Sequence, residues 1–143
     1  MKDNLILYAS RGNSAKKVAE FLQENLNDNS QIICVNNNVI KAEDFNFSLL
    51  ILVCPTYGDE ELEADMENFL IKSNWNNHRG KYFTVCELGL YRGYLETCQG
   101  AGAIISNYLK SKGLLLHSNI LSIDSIPLED FSLIKKWSDA LFE

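Results

Sequence analysis

Leu49-Leu50-Ile51-Leu52-Val53-Cys54 is the most apolar run in the chain, and it stops at Pro55-Thr56-Tyr57-Gly58-Asp59-Glu60-Glu61. A short run of consecutive apolar residues closed by proline, glycine and acids reads as a strand buried on both faces that ends in a loop. Such a strand needs helices on both sides, so the flanking patterns decide the fold. Downstream, Leu62, Met66, Phe69 and Leu70 recur at helical spacing, and Lys81-Tyr82-Phe83-Thr84-Val85-Cys86 reads as the next strand. Upstream, Gln31-Ile32-Ile33-Cys34-Val35 and Leu5-Ile6-Leu7-Tyr8-Ala9 are strands. Between them Ala15, Val18, Ala19, Leu22 and Leu26 form one helical stripe that Asn13 or Ser14 can cap. Asn36-Asn37-Asn38 marks a turn, and residues 36–48 cross between two strands without a clear helix.

Toward the C-terminus, Ala101, Ile104, Ile105 and Tyr108 predict a third helix that Gly113 ends at its C′ position. Residues 114–123 predict a fifth strand, broken near His117-Ser118-Asn119. Pro127, Glu129 and Asp130 suit the start of a last helix whose Ile134, Trp137 and Leu141 face inward. Strands alternating with helices imply a five-stranded, doubly wound parallel sheet, α/β in class, in one domain spanning residues 1–143.

Composition narrows the function. Apolar residues make up 46% of the 143 and charged residues 22%, ordinary for a folded chain, and no apolar run approaches the ~18–20 residues of a membrane span. The chain opens Met1-Lys2-Asp3-Asn4 and enters a strand at once, so no secretory leader is expected. Cys34, Cys54, Cys86 and Cys98 form no Cys-x-x-Cys pair, which predicts reduced thiols, a cytoplasmic location and no metal. The net charge of −6 disfavours nucleic acid and anionic membranes. That charge is local: Asp59, Glu60, Glu61, Glu63, Asp65 and Glu67 are six of the 19 acids, and the others equal the 13 Lys and Arg in number. They read either as a solvated helix face or as the field of a nearby docking surface.

In a doubly wound sheet, ligands bind at the carboxyl ends of the strands near the switch in strand order. Three loops are therefore candidates. Ser10-Arg11-Gly12-Asn13-Ser14 lies between a strand end and a helix N-terminus, where backbone N–H groups and the helix dipole favour an anion. Lys16 and Lys17 oppose the dipole in the first turn, which an anion nearby would offset. No Gly-Lys-Ser/Thr follows, so a nucleotide triphosphatase is excluded. The second loop places Thr56, Tyr57 and the pliable Gly58-Asp59 at a strand end. The third, Glu87-Leu88-Gly89-Leu90-Tyr91-Arg92-Gly93-Tyr94, again combines glycines with aromatics. Two loop aromatics above an anion site suit a flat ring that carries a phosphate. His78 and His117 have no ligand-spaced partners and are expected at the surface or a strand edge. Trp75 is expected to pack on or cap the second helix.

These loops resemble those of the short-chain flavodoxins. Residues 7–14 resemble that family's phosphate loop, Cys54 to Leu62 its Pro-Thr-Trp/Tyr-Gly loop, and Glu87 to Tyr94 its third loop. The resemblance covers nearly the whole chain and implies a three-layer α-β-α sandwich with a five-stranded parallel sheet of order 2-1-3-4-5. It implies non-covalently bound FMN. Ser10, Arg11, Gly12, Asn13, Ser14 and Thr56 would surround the phosphate. Pro55 would lead into Tyr57, which stacks on the ring, and Gly58-Asp59 would present the peptide that turns toward flavin N5. Glu87, Leu88 and Gly89 would line the ring's pyrimidine end, Tyr94 or alternatively Tyr91 would cover its other face, and Cys98 lies where some short-chain members have a cysteine.

There are departures: the phosphate loop is one residue short, and Glu87 and Leu90 stand where the family has Gly and Asp. The function implied is a monomeric, low-potential one-electron carrier, not an enzyme. Its partners would be redox proteins with basic docking surfaces: a flavodoxin/ferredoxin reductase and electron acceptors. The alternatives are an activator of a metalloenzyme such as ribonucleotide reductase, an FMN-dependent reductase, or an interaction module without flavin. Receiver domains share the strand order but need acids where Ala9-Ser10 stand.

Overall fold

The structure is a computed structural model that describes residues 3–9, 14–26, 30–35, 40–55, 63–88, 101–123 and 132–141. Among the described residues the strands are β1 (Asn4–Tyr8), β2 (Ser30–Cys34), β3 (Leu49–Pro55), β4 (Tyr82–Leu88), β5 (Leu115–Leu116) and β6 (Leu121–Ile123). The helices are α1 (Ser14–Leu26), α2 (Ala64–Lys72), α3 (Ala101–Ser111) and α4 (Ser132–Ala140). The strands all pair in parallel, in the order β2-β1-β3-β4-β5, with β6 also on β4. This is the 2-1-3-4-5 sheet that the resemblance implies.

The central strand behaves as its composition dictates. Leu50, Ile51, Leu52, Val53 and Cys54 are wholly buried. Strand alternation sends Leu50, Leu52 and Cys54 to one core, with Met66 and Phe69 of α2 and Ile105 and Leu109 of α3. It sends Leu49, Ile51 and Val53 to the other, with Val18 and Leu22 of α1 and Ile134 of α4. Each fully buried aliphatic side chain stabilises the fold by about 1.5–3 kcal/mol over exposure.

The fifth strand is split. β5 pairs with the start of β4 and β6 with its end. Across the gap the His117 N–H donates to the Phe83 carbonyl at 2.8 Å, and the Thr84 and Ser118 hydroxyls lie 3.0 Å apart. Polar side chains thus bridge the stretch where the ladder is interrupted, at the predicted break. α3 ends as expected. Gly113 has φ 94°, and the N–H groups of Gly113 and Leu114 bond to the carbonyls of Lys110 and Leu109.

His78 corrects the sequence reading. It is only 2% exposed, not at the surface or a strand edge. Among the described residues of the connection from β2 to β3 there is one 3-10 turn, Ala42–Asp44, and His78 ends another, Asn76–His78. The His78 ring stacks on Phe47 at 4.4 Å between centroids, and Trp75 meets it edge-on. Nε2 lies 2.8 Å from the Ala42 carbonyl, which can only accept, so the proton sits on Nε2. Nδ1 then accepts from Lys81 Nζ at 3.3 Å. Ser73 Oγ accepts from the Ala42 N–H at 2.8 Å and Glu43 Oε1 from the Asn74 N–H at 2.9 Å, fastening the crossover to the end of α2. The indole of Trp75 donates to the Leu70 carbonyl at 2.9 Å, so it caps α2 as anticipated.

Two outcomes are expected. Burial holds His78 below its ordinary pKa of 6.5, outweighing its bond to Ala42, which works the other way, while the smaller effects of the Lys81 and Glu43 charges oppose each other. The unfolded chain therefore binds a proton that the folded chain refuses. The contribution is fully favourable above pH 6.5 and is lost as pH falls below it toward the folded value. Urea midpoints between pH 7 and 5 should fall less steeply in His78→Gln than in the natural chain. Gly113→Ala should lower stability by about 1 kcal/mol or more, since its Cβ would stand 3.0 Å from Arg79 Nε at a positive φ.

Candidate functional site

β1 pairs with β2 on one side and β3 on the other, so strand order reverses there. Tyr8 lies opposite Val53, and Pro55 opposite Leu88. The stems that lead into residues 10–13, 56–62 and 89–100 therefore leave three adjacent strands, within about 10 Å across the sheet at ~4.8 Å per strand. This is the crevice where a doubly wound sheet binds its ligand.

Much of the predicted site lies in those loops. Ser10, Arg11, Gly12, Asn13, Thr56, Tyr57, Gly58, Asp59, Gly89, Tyr91, Tyr94 and Cys98 fall outside the described residues. Ser14 is the first residue of α1, whose first turn carries no acid. Lys16 and Lys17 are exposed there. Pro55 ends β3 and is partly exposed.

Glu87 and Leu88 belong to β4 and not to the third loop, which therefore starts later than the sequence suggests. Leu88 is 2% exposed and packs with the core beneath α1 and α4, so only its backbone faces the loop. Glu87 is 5% exposed on the opposite face. Its Oε2 accepts the Gly102 N–H at 3.2 Å and its Oε1 accepts the Ser122 hydroxyl at 2.8 Å.

The acidic run is not a uniform solvated face. Glu63 is wholly buried and caps α2, its carboxylate accepting the Asp65 N–H at 2.6 and 3.0 Å. Negative charge at that helix end is favoured by the dipole. Asp65 is partly exposed and Glu67 exposed, while Asp59, Glu60 and Glu61 lie outside the described residues. Burial, with the nearby Glu63 and Glu87 charges, pushes the Cys54 thiol far up. Burial does the same to Cys86, so both remain protonated and unreactive at neutral pH. The sequence reading missed Glu63 as a cap and Gly102 as a contact. An acid just ahead of a helical stripe signals the first, and nothing local signals the second.

A sequence model of the family described as Flavodoxin matches residues 6–137. The chain belongs to the flavodoxin family. A flavodoxin from Synechocystis sp. is 25% identical over 109 residues, 76% of this chain but 64% of that protein, so the match spans less than two thirds of the relative's length. A flavodoxin of Streptococcus pneumonia TIGR4 superposes with a TM-score of 0.76 at 23% identity, over 97% of each chain. A flavodoxin from the domain Archaea gives 0.77 at 17% identity over the whole of both. At such identities the structural likeness establishes the fold.

Flavodoxins bind FMN. The described residues fit that group at the start of α1, where the helix N-terminus, its acid-free first turn and the exposed Lys16 and Lys17 suit a phosphate. Among the described residues no group of His, Cys, Asp and Glu could hold a metal ion, and no helix is long and apolar enough to cross a membrane. Glu63→Ala should cost about 1–2 kcal/mol of stability, read as a lower denaturant midpoint, because the Asp65 N–H loses its buried acceptor.

Proposed function

We propose that this chain is a low-potential one-electron carrier that binds FMN non-covalently and passes electrons between redox proteins. The observation that carries this reading is the convergence of the β1, β3 and β4 ends beside an acid-free, lysine-bearing helix N-terminus, in a chain of this family. Bound FMN would supply the redox chemistry; the protein supplies its binding, orientation and electrostatic setting.

Ser10, Gly12, Asn13, Ser14 and Thr56 would hold the phosphate, with Arg11 adding a charged fork. Tyr57 and Tyr94 would cover the two faces of the ring. Gly58-Asp59 would offer a backbone hydrogen bond to N5, and the backbone from Glu87 to Gly89 would meet the pyrimidine end. The short phosphate loop leaves the amides of α1 a larger share of the anion.

The acids set the potential and choose the partner. A negative charge about 10 Å from a redox group changes its energy by about 0.4–1.7 kcal/mol, for an effective dielectric of ~80 to 20. That is about 20–70 mV for one electron, in the direction that opposes reduction. Exposed Glu67 and the acids at 59–61 would steer a basic reductase or acceptor to the flavin edge in a small, salt-sensitive complex. A cytoplasmic monomer fits this role.

Reconstitution tests the reading. The purified chain should take up one FMN and quench its fluorescence. Stepwise anaerobic reduction should then proceed in two separated one-electron stages. Tyr57→Ala should weaken FMN binding about tenfold or more. Rapid oxidation of NADPH by the chain alone would instead identify a reductase, and failure to retain FMN would identify an interaction module.

A further inference from the structure

Glu87 is a buried carboxylate at the end of a central strand, in a chain whose other described acids are mostly exposed. It stands on the α3 side of β4, since Phe83 and Val85 face that core and Cys86 and Leu88 the other. One oxygen accepts the N–H of Gly102, in the first turn of α3, and the other accepts the hydroxyl of Ser122 on β6. The three elements so joined are distant in sequence, the bonded partners being 15 and 35 positions apart.

The neighbours are shaped for this arrangement. A Cβ at position 102 would stand 3.1 Å from Glu87 Oε1 and 2.5 Å from Ile120 Cγ2. A side chain at 102 would have to displace Ile120 and would crowd the carboxylate that the amide reaches. Both partners are donors, and a carboxylate has two acceptor oxygens and no hydrogen to clash with either. The N-terminal end of α3 also favours a negative charge.

We propose that Glu87 is a positioning residue for flavin binding: its carboxylate clasps the end of β4 to the start of α3 and to β6. The clasp fixes Leu88 and Ala101, the two points from which residues 89–100 depart. The inference rests on the FMN reading and assigns a side chain outside the loops to the same site. The carboxylate also adds a fixed negative charge at the strand ends.

The test uses the full chain reconstituted with FMN, and the variants Glu87→Gln and Ser122→Ala. Glutamine keeps the volume but turns an NH2 toward one of the two donors. Glu87→Gln should weaken FMN binding about tenfold or more and raise the flavin midpoint potential, because a negative charge is gone. Ser122→Ala retains the charge, so it should weaken binding a few-fold and leave the potential unchanged. If Glu87→Gln lowers only the melting temperature of the FMN-free chain, with affinity and potential as in the natural protein, Glu87 is an ordinary core acceptor and the proposal fails. If Glu87→Gln does not fold, Ser122→Ala decides, and unchanged FMN affinity in it overturns the clasp. A natural chain that binds no FMN removes the functional reading and this inference together, an outcome distinct from both.

Discussion

Everything in this molecule follows from β3 being buried on both faces. Its backbone groups are paired on one side with β1 and on the other with β4, and its side chains alternate between two cores. Parallel neighbours require long crossovers, and burial on both faces requires those crossovers to be helices on opposite sides. The carboxyl ends of the three central strands are then forced together at one edge of the sheet. The proposed site is thus a by-product of covering an apolar strand.

The opposite edge is packed differently. The described part of the crossover between β2 and β3, residues 40–48, contains a single 3-10 turn, Ala42–Asp44, which packs near the end of α2. His78, Trp75 and Phe47 form an aromatic cluster there, and their polar atoms are satisfied by the carbonyls of Ala42 and Leu70 and by Lys81. Buried polar groups are tolerable when each has its partner. No buried side-chain nitrogen or oxygen among the described residues lacks one.

Charge is handled by the same rule. Glu63 and Glu87 are both removed from water, and both accept backbone N–H groups at the first turn of a helix. These bonds offset the cost of burying each carboxylate. The surface pair Lys135 and Asp139, 2.8 Å apart on α4, contributes little, since water screens it. Asn25 of α1 bonds to Ser138 and, at 3.0 Å, to Asp139, joining the two helices of that layer.

The sequence by itself determined the layers. Leu49–Cys54 could only be a covered strand, and the stripe Val18, Ala19, Leu22 could only be one face of a helix, because burial and period are local properties of the chain. It determined the end of α3, since a positive φ at position 113 requires glycine, and the break in the fifth strand, where polar residues interrupt the apolar run. The Ser10 to Ser14 and Pro55 to Asp59 motifs could be read as the flavodoxin resemblance, which the family match bears out, because such motifs are written in consecutive residues. The environments of His78 and Glu87 were decided only by the tertiary structure. His78 meets a carbonyl 36 residues away, and Glu87 meets an amide and a hydroxyl from two other elements. No periodicity records such partners, so a histidine without ligand spacing read as surface and a glutamate near a strand end read as loop. Whether a polar side chain is buried depends on which donors and acceptors the fold delivers to it, and that is settled by packing between segments rather than by any one of them.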